Sequence, residues 1–291
     1  MEIERMIRMT NMLPRLNRDQ RVQAAEQTVA ICTAGRYIAP SGLTVKIADE
    51  IKRATDGTQV HTNVSKRPSR SGHDTVFEVT GETTFDAIQR LSSADSGHLA
   101  CLNFASAKNP GGGFLSGAQA QEEALSRASA LYPCLLTATE YYSRNRANKS
   151  ALYLDNVIYS PLVPFFRDDL GELIEEPKLC SVLTAPAPNA GAIAQNEPHN
   201  LDKVAPTLLR RAEWVLSVAA NYDLDTLILG AWGCGVFRND PEMVASTFKT
   251  LLCAPGEYAG VYKKVVFAVF DPSREQPNLS AFTRVFQGTL K

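Results

Sequence analysis

The sequence predicts an α/β fold in which a mixed, largely parallel β-sheet is covered by helices on both faces. Two observations support this prediction. Short apolar segments typical of strands alternate with segments of helical periodicity along most of the chain. Two of these strands are followed by glycine-rich loops, at the strand ends where open α/β sheets bind their ligands.

The composition is typical of a soluble globular protein. The chain has 291 residues, of which 44% are apolar, and its 30 basic residues nearly balance its 31 acidic ones. Intrinsic disorder is excluded, because disordered chains lack the apolar surface that offsets the entropy of ordering. The near-neutral charge also argues against a strongly basic nucleic-acid binder.

The first quarter of the chain is predicted to be a helical extension. Residues 17–36 carry apolar side chains at helical spacing, and Gly35 suits the end of this helix. We therefore divide the chain into an N-terminal helical extension with a basic loop, residues 1–75, which packs on a core of residues 76–291.

The core is predicted to alternate strands with helices, which is the pattern of a parallel sheet with helical crossovers. Strands are predicted at residues 76–79, 98–104, 156–163, 179–185, 226–229 and 264–270, and helices at residues 84–91, 121–139, 201–220, 241–252 and 279–286.

The first glycine-rich loop joins the strand at residues 98–104 to the helix that begins at Gln121. It contains Gly111, Gly112 and Gly113, and three consecutive glycines are costly to order. Such a run can be a flexible surface turn. Its position at the carboxyl end of a buried strand favours a loop whose bare backbone and N–H groups approach a ligand.

The second glycine-rich loop runs from Gly230 to Pro241, between a strand and a helix. Asp240 suits the N-cap of that helix and Pro241 its first position. Glycines before a helix N-terminus favour an anion site. Neither loop has the Lys-Ser/Thr of a P-loop, and the G-x-G-x-x-G of dehydrogenases is missing. Two such loops fit a diphosphate-containing ligand.

The spacing of the first loop resembles a known family signature. Seven residues separate the glycine triplet from Gln121-Glu122-Glu123, which is similar to the GGG-x(6–8)-QEE signature of poly(ADP-ribose) glycohydrolases. An Ala-Pro-Asn segment at residues 187–189 and the later G-x-G-V-F loop resemble the microbial branch of this family. The resemblance spans most of the chain. It implies a macrodomain-like three-layer α/β/α fold and the hydrolysis of ribose–ribose bonds to release ADP-ribose.

The resemblance also implies roles for individual residues. Glu123 matches the catalytic glutamate, and Glu122 matches the neighbour that holds the ribose hydroxyls. The implied substrate-binding residues are Asn103, Gly111, Gly112, Gly113 and Gln121 around the terminal ribose, and Gly233, Cys234, Gly235, Val236 and Phe237 around the diphosphate. No motif identifies the residues that contact adenine.

Two adjacent glutamates restrict the chemistry that the site can perform. Glycosidases usually place two carboxyls on opposite sides of the scissile bond, roughly 5 to 10 Å apart. Consecutive helical residues point about 100° apart and lie on one side of a substrate. We therefore expect Glu123 to act as both general acid and general base, while Glu122 orients the ribose. No cofactor is expected, and the four dispersed histidines argue against a metal site.

Several other functions share some of these features. Removal of ADP-ribose from a protein side chain, a nucleobase or an O-acyl ester would use similar chemistry. A non-catalytic ADP-ribose reader would not need the Glu pair, and a generic nucleotide-binding enzyme would leave the glycine triplet unexplained. Fold class does not decide between them.

The expected partners are poly(ADP-ribose), ADP-ribose and ADP-ribosylated proteins, with neither a membrane nor a specific nucleic-acid sequence. We expect a monomer that serves the DNA damage response. A cytoplasmic location is expected because the six cysteines form no C-x-x-C pair and the N-terminus has no apolar signal region.

Three local features are also interpreted. Lys66, Arg67 and Arg70 form a basic loop that could hold the polymer or be merely solvated. Trp232 could line the site or anchor its loop. The small size of Cys234 explains its place in the second loop better than reactivity does.

Overall fold

The computed structural model describes residues 16–63, 72–92 and 98–290, and within them a seven-stranded sheet lies between helices. The helices are α1 (Arg18–Ala34), α2 (Ala48–Asp56), α3 (Thr84–Leu91), α4 (Gln121–Ala128), α5 (Leu131–Thr137), α6 (Thr139–Ala147), α7 (Ala190–Asn196), α8 (Val204–Asn221), α9 (Pro241–Leu252) and α10 (Pro277–Phe286). The strands are β1 (Arg36–Ile38), β2 (Thr44–Lys46), β3 (Gln59–His61), β4 (Val76–Thr80), β5 (Leu99–Phe104), β6 (Val157–Arg167), β7 (Leu173–Ala185), β8 (Thr226–Leu229) and β9 (Lys264–Ala268).

The main sheet is mixed and largely parallel, as predicted. Its strand order is β3-β6-β7-β5-β8-β9-β4. The five strands from β7 to β4 are parallel, whereas β3, β6 and β7 pair antiparallel. Strands β1 and β2 form a separate antiparallel pair. The α/β class is therefore confirmed.

Helices cover both faces of the sheet, which explains why β5 is buried along its length. Successive residues of a strand point to opposite faces. Leu102 packs in one hydrophobic cluster with residues of α8, α9 and α10. Its neighbour Cys101 packs in a second cluster with residues of α1, α3 and α5. The three-layer arrangement follows from this alternation.

The single helix predicted over residues 121–139 is wrong. The chain forms α4 and α5 there, separated by Ser129, whose φ of −149° and ψ of 177° are extended. At this break Ala130 N–H donates to the carbonyl of Pro164 at 3.0 Å, so the chain leaves the helix to pair with β6. The helix predicted from residue 201 also differs, because a 3₁₀ turn, Pro198–Lys203, precedes α8.

The N-terminal part contains more than the predicted helix. Helix α1 is confirmed, and its N-cap Asn17 exchanges hydrogen bonds with Gln20. Strand β3, however, is an edge strand of the main sheet. The boundary at residue 75 stays a prediction, and Lys66, Arg67 and Arg70 lie outside the described residues. None of the helices in the described ranges is long and apolar enough to cross a membrane.

Candidate active site

Both glycine-rich loops lie at the same edge of the sheet. Strands β5 and β8 are parallel neighbours, with Cys101 opposite Ile228. Their carboxyl ends therefore point the same way, and each strand continues directly into its loop. The ring of Phe104, at the end of β5, lies against the backbone of Gly230, the first residue of the second loop. The topology thus brings both loops to one edge of the sheet, and a joint site there stays a prediction.

Glu122 is buried at the start of α4, with 3% of its surface exposed. Its Oε2 accepts a hydrogen bond from Ser106 N–H at 2.6 Å, and its Oε1 accepts one from Asn103 Nδ2 at 3.3 Å. Burial is the largest influence and raises the pKa of this carboxyl to about 8, against the lowering effect of the Ser106 N–H; the nearby charge of Glu123 adds to the rise. Glu122 is therefore mainly neutral at pH 7.

Glu123 is partly exposed and contacts the glycine triplet directly. Its Oε1 accepts a hydrogen bond from Gly113 N–H at 3.0 Å. Gly112 has a φ of +59°, and a Cβ there would collide with Glu123 Oε1 and lie 3.1 Å from Glu122 Oε2. A residue with a side chain cannot occupy this position without moving the carboxyls, so the triplet brings bare backbone against both glutamates.

Gln121 and Asn103 fasten the glutamates to the sheet. Gln121 Oε1 accepts from Phe104 N–H at 2.8 Å, and its Nε2 donates to Leu102 O at 2.8 Å. Asn103 is fully buried, and its Nδ2 also donates to Thr184 Oγ1 at 3.2 Å. Both side chains hold α4 in place against strand β5. The substrate contacts expected for them stay predictions.

Three arginines brace the segment between the glycine triplet and α4. Arg18 and Arg21 of α1 donate through Nε to the carbonyls of Ser116 at 3.1 Å and Gly117 at 2.7 Å. Arg127 of α4 donates through Nη1 to the carbonyl of Ala118 at 2.8 Å. Sequence reasoning missed all three residues, and for Arg18 and Arg21 the reason is that no local motif connects α1 with a loop about a hundred positions away.

The second loop is held mainly by its own side chains. Trp232 is fully buried, and its Nε1 donates to the carbonyl of Ala185 at 3.1 Å, so it anchors the loop. Asn239 is also buried, and its Nδ2 donates to Pro188 O at 2.8 Å and Gly233 O at 3.2 Å. Asp240 caps α9 through Met243 N–H at 2.7 Å, as the sequence predicted.

The tip of the second loop presents backbone rather than side chains to its surroundings. Val236 is 82% exposed. Within the described ranges, the N–H groups of Gly235, Val236 and Phe237 donate to no protein acceptor. Consecutive free N–H groups are typical of an anion-binding loop. Cys234 is no nucleophile here, because burial raises the pKa of its thiol to about 12.

A third segment, which sequence reasoning missed, lies beside Phe237. The ring of Tyr153 packs 6.0 Å from that of Phe237, and Tyr153 has a φ of 59°, which is uncommon for a residue with a side chain. The buried Arg211 of α8 holds this segment, since its Nη2 donates to the carbonyls of Leu152 at 2.8 Å and Tyr153 at 3.1 Å. Arg211 also pairs with Asp155 at 3.0 Å.

No group of His, Cys, Asp and Glu that could hold a metal ion occurs among residues 16–63, 72–92 and 98–290. The arrangement that is present consists of two carboxyls of different burial beside one glycine backbone and an exposed N–H loop on the neighbouring strand. It can bind an anion and move a proton next to it.

Comparison with known proteins points in the same direction. The family described as microbial-type PARG, catalytic domain, matches residues 25–168. A structure of poly(ADP-ribose) glycohydrolase from Thermomonospora curvata, bound to the inhibitor ADP-HPD, is similar at 44% identity and a TM-score of 0.84, and the match covers 92% of this chain and 99% of that one.

A structure of poly(ADP-ribose) glycohydrolase from Deinococcus radiodurans in complex with ADP-ribose is also similar. The identity is 50% and the TM-score 0.78, and the match covers 84% of this chain and 99% of that one. No curated protein sequence matches the chain.

Proposed function

This chain belongs to the family of microbial-type poly(ADP-ribose) glycohydrolases, and from this premise we propose which of its residues perform each step of the reaction. The reaction is hydrolysis of ribose–ribose O-glycosidic bonds in poly(ADP-ribose), which releases ADP-ribose. The observation that supports the assignment is the contrast between the two glutamates. Glu122 is buried and held at both oxygens, whereas Glu123 is partly exposed beside a glycine backbone.

Glu123 is the general acid and base in this proposal. It donates a proton to the 2′-oxygen of the leaving unit while the glycosidic bond breaks and its electron pair passes to that oxygen. The ribose left behind has oxocarbenium character. Water then attacks its anomeric carbon and loses a proton to Glu123, which restores the starting state. One water is consumed, and the products are ADP-ribose and a shortened polymer.

Glu122 orients the terminal ribose in this proposal. Because burial raises the pKa of Glu122 to about 8, its neutral carboxyl can donate a hydrogen bond to a ribose hydroxyl. A neutral group also avoids repulsion between this carboxyl and the diphosphate of the substrate. Ser106 N–H and Asn103 Nδ2 hold the carboxyl in one orientation, so the ribose would meet a preorganised partner.

The second loop binds the diphosphate in this proposal. Support comes from the free N–H groups of Gly235, Val236 and Phe237, which can each donate to a phosphate oxygen. Gly233 and Cys234 complete the loop, and the aromatic pair Phe237 and Tyr153 would pack against a ribose. Because the two loops follow adjacent parallel strands, the diphosphate and the terminal ribose would lie along the same edge of the sheet.

The experiment that tests the assignment separates catalysis from binding. Glu123→Gln should lower kcat for ADP-ribose release from the polymer by about 10²- to 10⁴-fold, since it removes the general acid and base. The Kd for ADP-ribose, measured by calorimetry, should change by less than about fivefold, because a single neutral hydrogen bond is worth ~1 kcal/mol or less.

Glu140→Gln is the matched control, because Glu140 is an exposed glutamate on α6 whose partner is Arg144. This variant should cleave at the wild-type rate. A Glu123→Gln protein that cleaves normally, or one that is folded but no longer binds ADP-ribose, would contradict the assignment.

We further propose that the polymer is presented on ADP-ribosylated proteins, that the protein is a monomer in the cytoplasm, and that it serves the DNA damage response. The unpaired, dispersed cysteines support a reducing compartment. Sedimentation of the purified protein, fluorescence of a tagged copy in cells and survival of a deletion strain after DNA damage test these points separately.

A further inference from the structure

Two exposed cations lie next to each other beside the candidate active site. Lys108 belongs to the loop between β5 and Gly111, and Arg146 lies in the last turn of α6. Arg146 Nη1 donates to the carbonyl of Lys108 at 2.6 Å, so the helix end and the loop are joined at this point. Across the described ranges, neither side chain forms an ion pair with an aspartate or glutamate.

The loop that carries Lys108 is fastened to the buried glutamate. Ser106 N–H donates to Glu122 Oε2 at 2.6 Å. The hydroxyl of Ser106 then accepts hydrogen bonds from the N–H groups of Lys108 at 3.3 Å and Asn109 at 3.1 Å. Lys108 thus follows Ser106, which contacts the Glu122 carboxyl, by only two residues. The hydrogen bonds to the Ser106 hydroxyl fix the turn between them.

A neighbouring arginine on the same helix does have a counter-ion, and it therefore offers a matched control. Arg144 lies two residues before Arg146 on α6, and it pairs with Glu140 at 3.4 Å, one turn earlier. The chain as a whole has a formal charge of −1. Lys108 and Arg146 are thus two exposed cationic residues on a nearly neutral protein, joined through the Lys108 carbonyl next to the candidate catalytic pair.

The substrate carries an anion on each side of the cleaved bond. Every unit of poly(ADP-ribose) contains a diphosphate, and under the proposed function the diphosphate of the terminal unit lies on the second glycine loop. The bond near Glu123 joins this unit to the next one, whose own diphosphate lies outside that loop. Only the polymer has this second anion, whereas a terminal unit attached to a small neutral group does not.

We propose that Lys108 and Arg146 form a subsite for the diphosphate of the polymer unit on the leaving side of the cleaved bond. The proposal rests on the proposed function, because it assumes that the terminal ribose lies at Glu122 and Glu123. The ammonium of Lys108 and the guanidinium of Arg146 supply charge-assisted hydrogen bonds to phosphate oxygens. The subsite makes the enzyme prefer a polymer over other ADP-ribose conjugates.

The test removes the positive charges of Lys108 and Arg146 and keeps side chains of similar length. In a double variant, Lys108→Met retains the aliphatic stem, and Arg146→Gln retains a donor for the carbonyl of Lys108. Steady-state kinetics are measured on poly(ADP-ribose) and on ADP-ribose joined to a neutral phenol, at several salt concentrations. Arg144→Gln, which removes a charge from the same helix, is the control.

The double variant should raise KM for the polymer about tenfold and change kcat less than about twofold. Two lost phosphate contacts should reduce the slope of log kcat/KM against log salt by about 1.4, at about 0.7 per contact on a single strand. Hydrolysis of the phenol conjugate and binding of free ADP-ribose should be unchanged. Arg144→Gln should match the wild type on both substrates.

Three other results would overturn the proposal, and the kinetics distinguish them. An equal rise of KM on both substrates would mean that the cations bind the terminal unit itself. Unchanged kinetics on both substrates would mean that they bind no part of the substrate. A wild-type protein that releases no ADP-ribose from the polymer would refute the proposed function and the subsite together, and this failure is seen before any variant is made.

Discussion

The two glycine-rich loops start from neighbouring parallel strands, yet they are stabilised in opposite ways. Distant cations hold the first loop, since Arg18 and Arg21 reach it from α1. The second loop is held by Trp232 and Asn239, which lie within it. A loop that must keep carboxyls in place depends on remote residues here, whereas a loop that offers backbone N–H groups is nearly self-contained. Remote substitutions should therefore affect turnover more than binding.

The largest difference between the two loops is expected when a glycine is replaced by alanine. Gly112→Ala should lower kcat/KM by about 100-fold or more, because the added Cβ displaces the Glu123 carboxyl and a misplacement of about 1 Å can cost that much. Gly235→Ala is the matched variant in the second loop, where an added Cβ would meet no atom within 4 Å. It should stay within about threefold of the wild type. Equal losses in the two variants would show that the contrast is wrong.

A change of pH should act on the first loop, which contacts a buried carboxyl. Because the pKa of Glu122 is raised from 4.5 to about 8 by burial, its contribution to stability is complete below pH 4.5 and is lost as the pH rises to 8. Glu122→Gln does not titrate. The variant should therefore gain stability relative to the wild type between pH 5 and pH 9, by about 4 kcal/mol in total.

Urea unfolding at pH 5 and pH 9 measures this difference. Glu140→Gln serves as the control, because it replaces an exposed glutamate, and its stability relative to the wild type should not vary with pH to a comparable extent. A Glu122→Gln protein whose relative stability is the same at both pH values would show that the buried carboxyl ionises normally.

Loss of an internal support should weaken the second loop. Asn239→Ala removes the side-chain donor to the Pro188 carbonyl and one of the two donors to the Gly233 carbonyl, so the free energy of unfolding should fall by about 1–3 kcal/mol. KM should rise about tenfold, with a smaller change in kcat. Val236→Ala, at an exposed position of the same loop, should leave stability unchanged. A fall in kcat without a rise in KM would contradict the assignment of this loop to binding.

The smallest effect is expected for a single brace of the first loop. Arg21→Met removes one hydrogen bond to the first loop, at Gly117, and one to the carbonyl of Leu16 outside it, whereas the bonds of Arg18 and Arg127 to the first loop remain. About 1 kcal/mol of lost positioning corresponds to a decrease in kcat of about threefold to fivefold, with KM unchanged. Arg284→Met, which removes an exposed ion pair with Glu242, is the control. A rise in KM at constant kcat would refute a positioning role.

Six of the seven strands of the main sheet, several helices and both loops could be predicted because their signals are local. Apolar periodicity identified β5, and glycine runs marked the points where backbone must approach closely, as at Gly112. The break at Ser129 could not be predicted, because it depends on a hydrogen bond between Ala130 and Pro164 of a later strand. Strand β3 was missed because three residues are too few to show a period.

The candidate site likewise has features that the sequence shows and features that arise only on folding. The Gln-Glu-Glu segment is visible in the sequence, but nothing local shows that Glu122 is buried and Glu123 partly exposed. That difference arises from Asn103 and Ser106, which lie on a strand and a loop brought together by folding. Arg211 was missed for a related reason, since its partners are mainly backbone carbonyls and leave no pattern of residue types.

The segment around Tyr153 is expected to unfold together with the core of the protein. It has no regular structure, yet Ala151 N–H donates to Glu197 at 2.7 Å and Leu154 N–H to Asn145 at 3.0 Å, while Arg211 of α8 holds its carbonyls. Exposure of these amide hydrogens requires the loss of contacts that join the segment to other parts of the fold. We expect them to be protected to the same extent as those of α8, so that an irregular wall of the site and a core helix form one cooperative unit of unfolding.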